Sequence, residues 1–189
     1  MFQAPPEDRQ VAASTPETLR TARDEIGAEA EHLPPDLREE MVDRWIHGLI
    51  TQVTSQPVDA RIEQWISETY PGLREGQKRS LRTEIRTIIA SISPEVKRTA
   101  PASVFKRSHA MNYAYLDHIG DIMERSFEST FRGHPDIVTL GQILSDLLDN
   151  DDLSDQELVN RCAEVVHTSN WFIWLSFEDM LPSYYDERP

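Results

Sequence analysis

Residues 103–132, SVFKRSHAMNYAYLDHIGDIMERSFESTFR, form the stretch on which the fold prediction rests. At about 100° per residue, its apolar side chains cover one wide face of a helix, which is typical of a helix that packs on two sides. Gly133 follows and favours a helix end, since glycine readily adopts the left-handed conformation of helix C-termini. We therefore predict one long central helix over residues 103–132. The apolar residues of its wide face are Val104, Phe105, Met111, Tyr115, Leu116, Ile119, Ile122, Met123, Phe127 and Phe131.

Apolar residues at helical spacing predict further helices on both sides of this stretch. We expect them near residues 15–30, 34–53, 57–70, 75–91, 137–148, 155–167 and 170–181. Pro57 is expected to begin the third helix, and Pro71-Gly72 to end it, because proline cannot continue the hydrogen-bond ladder. The apolar side of that helix comprises Val58, Ile62, Trp65 and Ile66. The predicted fold class is all-α, a multi-helix bundle of about seven to eight helices with one long central helix.

Pro94 and Pro101 bracket a short connector between two groups of helices. The predicted organisation is a disordered N-terminal tail at 1–14, an N-terminal helical subdomain at 15–93, the connector at 94–102, a C-terminal helical subdomain at 103–181 and a tail at 182–189. No apolar run approaches the roughly 18 residues of a membrane span, and the first residues lack the features of a secretory signal. A cytoplasmic protein without a membrane partner is the expectation.

The charge of the chain is unevenly distributed. Its net charge is −14, from 33 acidic and 19 basic residues, and such an excess of acid is compatible with a halophilic source. Residues 74–107 nevertheless hold nine basic and three acidic residues, whereas residues 136–189 hold twelve acidic and two basic residues. A basic middle and an acidic end favour charge-matched contacts with other surfaces.

Two charged strips stand out on the predicted helices. Arg79, Arg82 and Arg86 line one side of helix 75–91, where their forked guanidinium groups suit phosphate or carboxylate. The acidic strip, on the outer side of helix 103–132, comprises Asp117, Asp121, Glu124 and Glu128. Both strips could be ordinary solvated faces, or they could pair with each other inside one subunit. Alternatively, the basic strip of one subunit pairs with the acidic strip of another. The basic strip alone also suits nucleic acid.

The predicted helix 170–181 is apolar on every side and must be buried on every side, either in its own bundle or on another chain. The composition of residues 171–177 also favours a strand, but no partner strand is evident. Because Trp and Tyr often dominate association energies, we predict that Trp171 and Trp174 diverge, one facing its own core and the other a partner. The expected interface residues are Trp171, Phe172, Trp174, Phe177, Met180, Leu181, Tyr184 and Tyr185.

Patterns that would carry chemistry are weak. Glu29/His32 and Glu164/His167 have the Glu-x-x-His spacing of di-iron bundles, but all four residues are expected on solvated helix faces. The acidic run at 149–155 fails the calcium-loop pattern and suits a helix N-terminus, where Ser-Asp-Gln-Glu at 154–157 forms a capping box. Neither a metal nor a cofactor is predicted.

Three internal polar residues are the candidates for a catalytic role. His109 and Asn112 fall on the inward face of helix 103–132, where a structural hydrogen bond is the expectation and a catalytic histidine the alternative. Cys162 lies among apolar residues, as expected of an inert buried thiol. No glycine-rich phosphate loop or nucleophile elbow occurs.

These patterns predict a non-enzymatic helical interaction or structural subunit that self-associates or belongs to a larger protein assembly. The alternative is a nucleic-acid-associated regulator that contacts phosphate through the basic helix 74–92. Helices 137–148 and 155–167 have the order of a helix-turn-helix, but their region is acidic and has the wrong sign for phosphate. A small helical enzyme, with His109 as its only candidate, is the second alternative.

Overall fold

The structure, a computed structural model, describes residues 10–176. The helices in this range are α1 (Pro16–Glu29), α2 (Pro35–Thr69), α3 (Arg74–Ser91), α4 (Pro94–Thr99), α5 (Ala102–His118), α6 (Gly120–Met123), α7 (Pro135–Leu148) and α8 (Asp155–Val165). Two 3-10 turns cover Pro71–Leu73 and Glu128–Phe131, and two strands, β1 (Gln10–Ala13) and β2 (Ile173–Ser176), pair in a small sheet. The predicted helical bundle is confirmed, with a two-stranded sheet added. None of the described helices is long and apolar enough to cross a membrane.

Helix α2 is the long helix of the fold, and it passes through Pro57 without a break. The prediction that Pro57 begins a separate helix is wrong. A proline inside a helix removes one hydrogen bond and costs about 3 kcal/mol. Pro57 is buried, however, and α2 packs against both α5 and α8. Apolar burial along the whole helix therefore outweighs the local cost of the ring.

The prediction of one long helix over 103–132 is also wrong, because this segment forms α5, the single turn α6 and a 3-10 turn. A Schellman motif ends α6: Glu124 is left-handed with a φ of 54°, and the Arg125 N–H donates to the Gly120 carbonyl at 3.1 Å. The left-handed position is usually glycine, so Glu124 carries no local stop signal. Lys78 of α3 holds this turn, with its Nζ 2.7 Å from Glu124 Oε1.

The two strands tie the ends of the described chain together. Strand β1 runs antiparallel to β2. Residues 10–13 fall in the predicted disordered tail 1–14, and residues 173–176 fall in the predicted helix 170–181, so both predictions are wrong for these residues. The β-favouring composition of the second segment does find a partner, but that partner lies at the other end of the chain.

Two apolar clusters hold the elements together. The main cluster draws on α2, α3, α5, α7 and α8, and its side chains come from both sides of the predicted connector at 94–102. Helices α5 and α7 approach so closely that a Cβ on Gly141 would lie 2.6 Å from the Tyr113 ring. The smaller cluster joins α1 to the first half of α2 and includes Trp171. The sides of α2 and α3 that face away from these clusters are exposed to solvent.

Candidate interaction surfaces

The basic strip (Arg79, Arg82 and Arg86) lies on one side of α3. This helix turns Leu81 and Ile85 into the main cluster, and its period of 3.6 residues places the three arginines beside that buried face. All three are exposed. Within residues 10–176, none of them forms an ion pair or a side-chain hydrogen bond. Their guanidinium donors are therefore available to another molecule.

The predicted acidic strip does not run along one helix, because residues 103–132 form several short elements in place of the predicted long helix. Its members are dispersed over the end of α5, α6, the left-handed turn and the second 3-10 turn: Asp117, Asp121, Glu124 and Glu128. Lys78 pairs with Glu124 and lowers the pKa of its carboxyl. Ser145 donates to Asp117 at 2.5 Å. The basic strip contacts none of these four acids in its own chain.

Two of these acids line a cleft of about 640 Å³ between α2, α6 and the C-terminal ends of α5 and α7. We call it the acidic cleft, because it gathers five carboxylates: Glu68, Asp117, Asp121, Asp149 and Asp151. The other lining residues are Arg61, Gln64, Trp65, His118, Ser145 and Leu148. Positions that are far apart in the chain thus create one concave, negatively charged surface.

The basic side chains of the acidic cleft already have partners within the chain. Arg61 donates to two backbone carbonyls of the loop after α7, at 2.6 and 2.8 Å. His118 Nδ1 lies 3.1 Å from an oxygen of Asp149. Asp121 and Asp151, by contrast, have no side-chain partner among the residues that the structure describes. The cleft therefore keeps an excess of negative charge.

The predicted C-terminal interface residues lie partly inside the fold. Trp171 is only 1% exposed and belongs to the smaller cluster, and Phe172 belongs to the main one. Trp174 is half-buried, and its Nε1 donates to Asn160 at 2.8 Å. A partner for the rest of the segment stays a prediction, because its other members lie outside the described residues: Phe177, Met180, Leu181, Tyr184 and Tyr185.

A buried polar network links α5 to α2. His109 and Asn112 are buried, with Asn112 Nδ2 3.3 Å from His109 Nδ1. Gln52 and Gln56 both donate to Asn112 Oδ1, at 2.8 and 3.2 Å. Burial lowers the pKa of His109 to about 4, so the ring is neutral near pH 7. The predicted structural hydrogen bond is confirmed.

Cys162 and the two Glu-x-x-His pairs lie in the environments predicted for them, the thiol buried and the pairs exposed to solvent. Cys162 is buried, and burial raises the pKa of its thiol to about 12, which disfavours the reactive thiolate. Both Glu-x-x-His pairs are exposed: Glu29, His32, Glu164 and His167. The described part of the chain holds no group of three or more His, Cys, Asp or Glu side chains placed to bind a metal ion.

The acidic run at 149–155 forms the loop between α7 and α8. Its predicted capping box is confirmed, since the Glu157 N–H donates to the Ser154 hydroxyl at 3.3 Å and the Ser154 N–H donates to the Glu157 carboxylate at 3.0 Å. The two helices of the predicted helix-turn-helix are thus present, but the loop that joins them is acidic.

Periodicity failed to reveal an exposed apolar surface at the C-terminal end of α2. We call it the Trp65 patch, and its members and their exposed fractions are Ile62 (44%), Trp65 (40%), Tyr70 (47%) and Leu73 (57%). The rings of Trp65 and Tyr70 meet edge to face, with centroids 5.3 Å apart. Helical spacing shows that Ile62 and Trp65 share a side, but it cannot show that the opposite side, at Ala60 and Ser67, is the one that is buried.

Comparison with protein-family models, with curated proteins and with solved structures finds no match for this chain. The fold and its open surfaces define a helical bundle with two charged surfaces of opposite sign. One of these surfaces is convex and basic, and the other is concave and acidic. The functional proposal therefore depends on the chemistry of these surfaces.

Proposed function

We propose that this protein is a non-enzymatic helical interaction subunit that self-associates or belongs to a larger protein assembly, with the basic strip as a contact surface. The observation that carries the proposal is the exposure of Arg79, Arg82 and Arg86 without an ion-pair partner in the described part of the chain. A guanidinium group presents a planar fork of donors that binds a carboxylate through two hydrogen bonds. Three such forks on one helix suit an acidic protein surface.

Other arginines of the chain support this interpretation by contrast. Arg23 forms two hydrogen bonds with Asp43, at 2.6 and 2.9 Å, and Arg107 pairs with Glu25. With 33 acidic residues against 19 basic ones, partners are plentiful within the chain. The basic strip adds no such contact to the fold. Unlike the separate unpaired arginines Arg20 and Arg132, it places three free guanidinium groups on one helix side, which is why we assign it to association.

The second candidate function is a nucleic-acid-associated regulator that contacts phosphate through α3. The same exposed arginines favour it, because phosphate neutralisation by Arg and Lys supplies most non-specific affinity for nucleic acid. The net charge of −14 and the acidic loop between α7 and α8 oppose it. Phosphate beyond the strip would be repelled.

Size-exclusion chromatography with light scattering, at low and high salt, distinguishes the two candidates. Self-association predicts a mass above the 21.7 kDa of one chain. It also predicts that the ratio of the ultraviolet absorbance at the nucleic-acid maximum to that at the protein maximum equals the ratio for pure protein. A nucleic-acid complex instead predicts excess ultraviolet absorbance that is lost at high salt. A nucleic-acid-free monomer under both conditions contradicts self-association.

The double variant Arg82→Glu with Arg86→Glu is expected to lose association and to keep the circular dichroism spectrum and unfolding midpoint of the wild type. Both side chains are exposed and unpaired, so the fold does not depend on them. Arg20→Glu with Arg132→Glu is the matched control, because it makes the same charge change at two exposed arginines without a side-chain partner. Unchanged association in the first variant would remove the basic strip from both candidate functions.

A further inference from the structure

The Trp65 patch is an apolar surface that the fold leaves uncovered. Single exposed apolar residues are ordinary, but four neighbours that each expose between 40 and 57% of their area, with two aromatic rings in contact, are typical of a binding surface. Ile62 and Trp65 lie about one turn apart on the outer side of α2. Tyr70 and Leu73 extend the patch through the 3-10 turn that follows.

This patch continues into the acidic cleft, because Trp65 also lines the cleft. Glu68 and Asp121 are lining residues of the same cleft. An occupant that covers both surfaces must be apolar along one edge and cationic along the other. Arginine suits this junction best, since its guanidinium group stacks on an indole face and binds carboxylates at its edge.

Helix α3 of the same protein has this combination of groups. The basic strip from Arg79 to Arg86 extends about 10 Å along the helix axis, and Ile89, which is 39% exposed, lies one turn beyond Arg86. None of these residues lines the acidic cleft of its own chain. Contact between the two surfaces therefore requires two molecules.

We propose that the basic strip and Ile89 of one copy dock on the Trp65 patch and acidic cleft of a second copy. This inference rests on the proposed self-association and identifies its two surfaces. Asp121 and Asp151 have no side-chain partner in the described residues, so they are the carboxylates that the incoming arginines pair with. Local charge matching of this kind offsets the long-range repulsion between two chains of net charge −14.

The test mixes two variants that have each lost one surface. Arg82→Glu with Arg86→Glu leaves the cleft intact, and Asp121→Arg with Asp151→Arg leaves the strip intact. Light scattering should find each variant monomeric at a concentration where the wild type associates. Their equimolar mixture should regain a complex, because each mixed pair contains one intact strip and one intact cleft.

The outcomes separate this inference from the proposed function. An associating wild type whose variants form no complex on mixing overturns the pairing of these surfaces and leaves the proposed self-association standing. A wild type that stays monomeric overturns both this inference and the proposed self-association. Circular dichroism of each variant establishes beforehand that it is folded.

A third variant tests the apolar half of the contact without any change of charge. Trp65→Ser should weaken the self-association constant at least about tenfold, as the loss of a central aromatic residue does. Leu37→Ser is its control, because Leu37 is 50% exposed on the same helix but lies at the other end. Equal affinities for the two variants would overturn the assignment of the Trp65 patch, even if a charge variant had failed to fold.

Discussion

Helices α5 and α3 are almost equal in length, with 17 and 18 residues, but they differ in burial. Helix α5 buries ten residues, and the run from His109 to Leu116 is buried on every side. Helix α3 buries five residues along one side and leaves its basic strip open. Helix α5 therefore contributes to the core on all sides, whereas α3 contributes one side to the core and exposes the side on which we propose that a partner binds. Substitutions in the two helices should therefore affect different measurements.

The largest effect is expected from Leu116→Ala in α5. Leu116 is fully buried, so its truncation should lower the free energy of unfolding by about 2–5 kcal/mol. Ile89→Ala in α3, at a 39% exposed position, should cost less than about 0.5 kcal/mol. Urea unfolding followed by circular dichroism measures both. Similar losses of unfolding free energy in the two variants would contradict the different roles assigned to α5 and α3.

The next effect is an acid destabilisation that originates in α5. Burial lowers the pKa of His109 from 6.5 to about 4, so the folded state resists a proton that the unfolded chain accepts. The contribution of neutral His109 to the free energy of unfolding is fully present above pH 6.5. It is lost as the pH drops towards 4, and the loss is about 3 kcal/mol in total. Urea unfolding of His109→Gln across this range should lack that slope. His47→Gln, at an exposed position, should retain it.

The smallest effect concerns Glu84, through which α3 contacts α5. Desolvation raises the pKa of Glu84 and outweighs the opposing effect of the Tyr115 hydroxyl, which donates to the carboxylate at 2.8 Å. The charged form is therefore disfavoured in the folded state, and Glu84→Gln should stabilise the protein at pH 7 by on the order of 0.5 kcal/mol, since solvent screens this edge. The gain should disappear below pH 4.5, where the wild-type carboxyl is protonated. A loss of stability at pH 7 would mean that the carboxylate charge supports the α3–α5 contact.

Local chemistry was enough to predict much of the fold. Ser154 caps α8 as expected, and Thr15 caps α1 in the same way, because these hydroxyls satisfy N–H groups that every helix start leaves free. The basic strip followed in the same way from the spacing of three arginines along one helix. Helix class, most helix starts and this one surface were therefore determined by the sequence itself, through interactions that span only a few residues.

The remaining features depend on contacts between distant parts of the chain. Pro57 stays within α2 because it is buried and α5 and α8 both pack against that helix. Glu124 ends α6 with the support of Lys78, 46 residues away in sequence. Strand β2 needs β1, and the acidic cleft needs α2, α5, α6 and α7 together. Helical periodicity identifies residues that share a side, but only the packing of neighbouring elements decides which side is buried. That is why the tertiary structure alone revealed the Trp65 patch and the cleft beside it.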